Sequence, residues 1–81
     1  MKLWIGNIAP GTSDEELTTF VRKYAPDLVC TGIQRVEGDG SRPAAVLEFP
    51  DTASVAVHNA ATRLHGMYWK ERQLMVQTVV R

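Results

Sequence analysis

One tryptophan, two cations and three amides are the residues of this chain whose types and spacing lend themselves to chemistry. Trp4 stands in the hexamer LWIGNI, between Leu3 and Ile5. Side chains alternate along an extended chain, so if Leu3 and Ile5 face a core, then Lys2, Trp4 and Gly6 face away from it. An indole set outward can stack on a flat π-system or cover a second apolar surface. Lys2 and Arg42 can hold an anion, and Gln34, Gln73 and Gln77 can both donate to and accept from a polar edge. An indole in this position is equally compatible with a cover made by a loop, a chain terminus or a second copy of the chain.

Other chemistries find less support. Cys30 is the sole cysteine, so no disulfide forms within the chain. A reactive thiol needs a neighbouring base or a helix start to lower its pKa, and nothing in the sequence places one beside Cys30. His58 and His65 stand seven apart, with no cysteine or carboxylates at metal-ligand spacing. The expectation is no metal site and no cofactor. The run GDGSR holds two of the glycines of a phosphate loop, but it joins two strands rather than a strand and a helix, which makes it a hairpin turn.

The chain has 81 residues, which is one small domain spanning 1–81. Nine basic and nine acidic residues cancel, which argues against strong nonspecific binding to a polyanion. No apolar run approaches the ~18–20 residues that span a bilayer, and the start MKLWIG is unlike a signal peptide. The expectation is a cytoplasmic protein without membrane contact.

The elements that would position these residues follow from the pattern. Residues 2–8 alternate and predict a strand, broken by Pro10-Gly11. Ser13 with Glu16 forms the S-x-x-E capping box of a helix, and Leu17, Phe20, Val21 and Tyr24 give it one apolar face before Pro26 ends it. Residues 28–36 and 44–49 predict two strands of a hairpin around the turn EGDGSRP. Asp51 or Thr52 can cap a second helix, on which Ala53, Val57, Ala60, Ala61 and Leu64 make a narrow apolar stripe, with Gly66 at its C′ position. A last strand is predicted over 72–79. The order βαββαβ is the ferredoxin-like α+β arrangement: a four-stranded antiparallel sheet with two helices on one face. Alternation then puts Lys2, Trp4, Gly32, Gln34, Arg42, Ala44, Val46, Gln73, Met75 and Gln77 on the face without helices.

Over nearly its whole length the chain resembles the RNA recognition motif (RRM) family. LWIGNI is similar to that family's first-strand hexamer, including Asn7, and Leu64, Gly66, Arg72, Leu74 and Val76 in LHGMYWKERQLMV fall at its usual spacing. The third-strand octamer [KR]-G-[FY]-[GA]-[FY]-[ILV]-x-[FY] reads RPAAVLEF here. Arg42, Ala45, Leu47 and Phe49 fit it, Pro43 replaces the glycine, and Ala44 and Val46 replace both aromatics.

The resemblance implies a non-enzymatic RNA-binding module. Single-stranded RNA would lie on the open face, with Trp4 stacking a base and with Lys2, Asn7, Gln34, Arg42, Ala44, Val46, Gln73, Met75 and Gln77 around it. Loss of two stacking rings implies weak or selective binding. The alternative is a protein-interaction module, docking a peptide or a second copy through Trp4, Ala44, Val46 and Met75. An Arg-x-Phe element, by which a subclass of the family binds peptides, is replaced by Met67-Tyr68-Trp69. Acylphosphatase-like chemistry on this topology would need a phosphate-cradling loop and a positioned arginine; IAPGTS has one glycine and no cation.

Overall fold

Alternation of apolar and polar residues makes β1 (Lys2–Gly6) the strand on which the sheet is built, with Leu3 and Ile5 fully buried. The computed structural model describes residues 1–36, 43–50 and 54–79. After β1 come α1 (Asp14–Tyr24), β2 (Gly32–Val36), β3 (Ala44–Glu48), α2 (Ser54–Leu64), β4 (Tyr68–Trp69), β5 (Arg72–Gln73) and β6 (Met75–Val79). The four longer strands form one antiparallel sheet in the order β2-β3-β1-β6. The two shortest, β4 and β5, pair only with each other.

Both helices contribute to one core. Leu17, Phe20 and Val21 of α1 and Val57, Ala60, Ala61 and Leu64 of α2 cluster with Leu3, Ile5, Ala45, Leu47 and Val76 of the sheet. Small residues at 60 and 61 let α2 lie close to β6, because alanine sets its backbone near the strand. The first helix starts as its sequence dictates. The Ser13 hydroxyl accepts from the Glu16 N–H at 3.1 Å, and the Glu16 carboxylate accepts from the Ser13 N–H at 3.0 Å. These bonds satisfy two of the donors that a helix start leaves open. Gly66 closes α2 at φ +82°, a left-handed conformation that glycine adopts without a Cβ penalty.

The third strand ends at Glu48, one residue short of its predicted bound, and three other predicted boundaries are corrected further. The first strand stops at Gly6 rather than residue 8, because Asn7 turns left-handed at φ +61°. The second strand covers only 32–36. Residues 28–30 stay outside the ladder after a turn in which the Leu28 N–H bonds the Ala25 carbonyl, the buried Leu28 side chain anchors the segment, and Thr31 meets β3 just ahead of the strand through its N–H to the Glu48 carbonyl at 2.8 Å. The predicted strand 72–79 is divided at Leu74, with 72–73 folding back on 68–69 as a ribbon. Lys70 and Glu71 make its two-residue turn at φ +54° and +66°. Such turns usually carry Asn-Gly, so a Lys-Glu pair gives no sequence signal for one. The candidate cap Asp51/Thr52, Ala53 and the turn 37–42 lie outside the described residues.

Candidate nucleic-acid interface

Register turns the face without helices into a grid. One row across the sheet is Gly32, Glu48, Lys2 and Val79, and the next is Gln34, Val46, Trp4 and Gln77. The third row has Val36 opposite Ala44 and Gly6 opposite Met75, and the same β1–β3 register continues Ala44 to Gly6. The rows are therefore charged, amide-flanked and apolar in turn. Val36 and Met75 bracket the apolar row at 48% and 54% exposure.

Trp4 lies across this grid rather than standing out from it. A methyl group placed on Gly6 would collide with the indole. Ring carbon Cη2 would be nearest, with its bonded neighbours Cζ2 and Cζ3 at 2.7 and 2.8 Å. Both flanking carbons are too near for an edge-on approach, which at the same Cη2 distance would push them beyond about 3 Å, so the methyl position is met by the ring's face. The six-membered ring therefore rests face-down over Gly6, and Gly6 is buried beneath it. Glycine is required there for close approach and not for its φ. The indole is half-buried, with its second face turned away from the sheet.

The sequence-derived site residues divide among three environments. Lys2, Trp4, Gln34, Val46, Met75 and Gln77 share the open face as alternation requires, and so does Ala44, but at 5% exposure Ala44 offers little surface. Gln73 does not join them. It lies in the β4–β5 ribbon, where its amide donates to the Gly66 carbonyl at 3.3 Å. Asn7 ties the end of β1 to that ribbon. Its Nδ2 donates to the Gln73 carbonyl at 2.9 Å, and its Oδ1 accepts from Arg72 at 3.4 Å. Arg42 lies outside the described residues.

Two features of the face were not in the sequence-derived set. Alternation turns Gly6 and Glu48 outward, but contact with the indole and the lean of the carboxylate are tertiary facts. Glu48 leans toward β2. A methyl on Gly32 would stand 3.8 Å from Glu48 Cδ and 4.0 Å from Oε1. The carboxylate thus hangs over a glycine, on the side away from Lys2.

The rest of the polar structure supports the fold. Trp69 stacks on Phe20 of α1, with centroids 4.4 Å apart. Lys70 reaches Glu16 at 2.7 Å and sits 5.3 Å from the Trp69 ring centroid, which fastens the ribbon to α1. The hydrogen bond from Lys70 and then that from the Ser13 N–H hold the Glu16 carboxyl below its ordinary pKa. A groove of about 470 Å³ between α1 and this ribbon is lined by Phe20, Tyr24 and Trp69, on the helix side of the molecule and away from the open face. Both exposed histidines lie on the α2 side, and His65 Nδ1 accepts from the Val76 N–H at 3.0 Å on the outer edge of β6. Among the described residues no group of three or more His, Cys, Asp or Glu could hold a metal ion, and no helix is long and apolar enough to cross a membrane.

No protein-family model matches the chain, and no curated protein does. Solved structures match over its whole length. The third RRM of Pes4 superposes with a TM-score of 0.81 at 15% identity, covering 99% of this chain and 92% of that one. The yeast splicing factor Prp24, in a structure of its three N-terminal RNA binding domains, superposes at 0.80 and 15% identity over 99% of this chain and 33% of that one. The RRM of Rna15 with bound RNA superposes at 0.72 and 17% identity over 99% and 83%. The chain therefore has the RRM fold: a ferredoxin-like βαββαβ domain with an open sheet face. The ribbon β4–β5 is added ahead of its last strand.

Proposed function

We propose that this chain is a binding module for short single-stranded RNA, not an enzyme, and that it stacks one base on Trp4. The observation that carries the reading is the indole laid flat over Gly6. Its outer face is a ready platform parallel to the sheet, which is the arrangement that base stacking needs. Lys2 in the adjoining row can meet a phosphate, and Gln34 and Gln77 flank the tryptophan row with amides able to bond base edges. The Rna15 RRM, which shares the fold, carries bound RNA in its structure. With aliphatic Val46 opposite Trp4 and Ala44 nearly covered, the platform is a single ring, so binding is modest in strength.

Titration of short single-stranded RNAs against Trp4 fluorescence, in a Trp69→Phe background, tests this. Binding is expected at low salt, with a shallow salt dependence because few phosphates are neutralised. Trp4→Ala, followed instead by anisotropy of a labelled RNA, should weaken it by roughly 5- to 150-fold, the range that ~1–3 kcal/mol per stacked base implies. No binding at millimolar RNA overturns the proposal. A second reading, a protein-docking face, is favoured by the apolar row ending in exposed Val36 and Met75. Concentration-dependent sedimentation without RNA binding would select its self-associating form.

A further inference from the structure

The charged row of the open face has an oddity for a surface that is to hold a polyanion: Glu48 sits at its centre, exposed, directly across from Lys2. Among the described residues no side chain donates to its carboxylate, which leans over Gly32 instead of toward Lys2. Gly32 has no side chain to fill the space beside it, and Gln34, the next outward residue of β2, is exposed. The result is a bare carboxylate beside an open floor, with an amide one step along the same strand. A carboxylate in this setting repels phosphate and can exchange its hydrating water for the N–H donors of a ligand.

We infer that Glu48 and Gln34 select a guanine, a reading that rests on the RNA function proposed above and specifies which base the same face prefers. Guanine alone among the four bases presents two adjacent N–H donors, N1–H and the N2 amine, to which a carboxylate can bond with both oxygens. Its O6, beside them, accepts from an amide such as that of Gln34. Adenine and cytosine each set a ring-nitrogen acceptor beside their single amine, and uracil flanks its one N–H with two carbonyls, so each of them turns lone pairs toward the carboxylate. The guanine is a different nucleotide from the one stacked on Trp4. The Gly6 row and the Glu48 row are four residues apart along the strands, about 13 Å at 3.3 Å per residue.

The test uses pentaribonucleotides of uridine with a central G, A, C, U or inosine, measured by fluorescence anisotropy against the wild-type chain, Glu48→Gln and Trp4→Ala. Wild type should prefer the G pentamer by about tenfold, near the low end for a bidentate base contact. Inosine, which keeps N1–H and O6 but lacks the N2 amine, should fall between G and U. Glu48→Gln should lose most of the preference while binding the uridine pentamer at least as well, because a negative charge has left the face. Trp4→Ala should weaken all five alike. Equal binding of all five by wild type overturns the guanine assignment and leaves the RNA reading standing. So does a Glu48→Gln effect that moves all five by one factor. Failure of every oligonucleotide to bind overturns both.

Discussion

Gly6→Ala separates the platform from the ring. The substitution adds one methyl group where Cζ2 and Cζ3 of Trp4 lie at 2.7 and 2.8 Å, well inside van der Waals contact, so the indole must leave its seat. If the ring stayed, overpacking of this kind would cost roughly 1–3 kcal/mol. The ring is only half-buried, however, and escapes by changing rotamer. Alanine also restricts the unfolded chain, which returns about 0.4–1 kcal/mol. The two terms would leave a net loss between zero and about 2.6 kcal/mol if the ring stayed, and its escape makes the loss smaller than that. Binding should change more, because a tilted indole no longer offers a face parallel to the sheet. A loss of up to ~1–3 kcal/mol, roughly 5- to 150-fold, is the value of one stacked base. Urea denaturation gives the first number, and anisotropy with short single-stranded RNA gives the second. Trp4 emission should shift to the red as the ring rises into solvent. An alanine variant that binds RNA as wild type does, beside a Trp4→Ala variant that does not, would refute the argument that the flat seat matters.

Ser13→Ala removes one half of the capping box and should lower stability by about 1 kcal/mol, seen as a Tm lower by roughly 4–8 °C in a domain of this size. Glu71→Gly relieves a left-handed non-glycine residue at φ +66° and should raise stability by up to about 1 kcal/mol in urea denaturation; an unchanged midpoint would show that the turn stores no such strain. Glu16 has a pKa lowered by Lys70 and by the Ser13 N–H, so its contribution to stability is complete above its unfolded-state pKa and is lost as pH falls through the folded-state value. Glu16→Gln should therefore flatten the acid limb of the stability–pH profile and leave its neutral slope unchanged, and Lys70→Met should raise the Glu16 midpoint in an NMR titration. Leu47→Ala, at a position with no exposure, should cost about 2–5 kcal/mol, enough to leave a domain this small largely unfolded when heated modestly.

The architecture was legible because each of its signals is local. Period-2 alternation set Leu3, Ile5, Ala45, Leu47 and Val76 inward, the Ser13–Glu16 pair marked the start of α1, and Gly66 marked the end of α2. Alternation also assigned most of the open face, since once the inward side of a strand is known the outward side follows. Gln73 escaped because its strand leaves the sheet. A two-residue turn at Lys70-Glu71 has no glycine or asparagine to announce it, and what stabilises it is Trp69 on Phe20 and Lys70 on Glu16, partners about fifty residues away in the chain. Asn7 fits the family hexamer, yet both its amide atoms are engaged in fastening that ribbon to β1.

The sequence by itself determined which residues share the open face, through hydrophobic alternation and the order of elements, and it determined that Trp4 is an aromatic without ring companions at 44 and 46. Tertiary structure alone decided the pose of that ring and the bearing of the carboxylate near it. Whether an outward indole stands up or lies down depends on the space above the next outward residue and on the strands either side. Here the missing Cβ of Gly6 supplies that space. Whether Glu48 neutralises Lys2 or turns from it depends in the same way on an empty position at Gly32, one strand across and sixteen residues back in the chain. Gly32 reaches Glu48 only through strand register, and although Gly6 neighbours Trp4 on the same strand, the direction in which the ring leans is set by packing, which no local pattern of residues encodes.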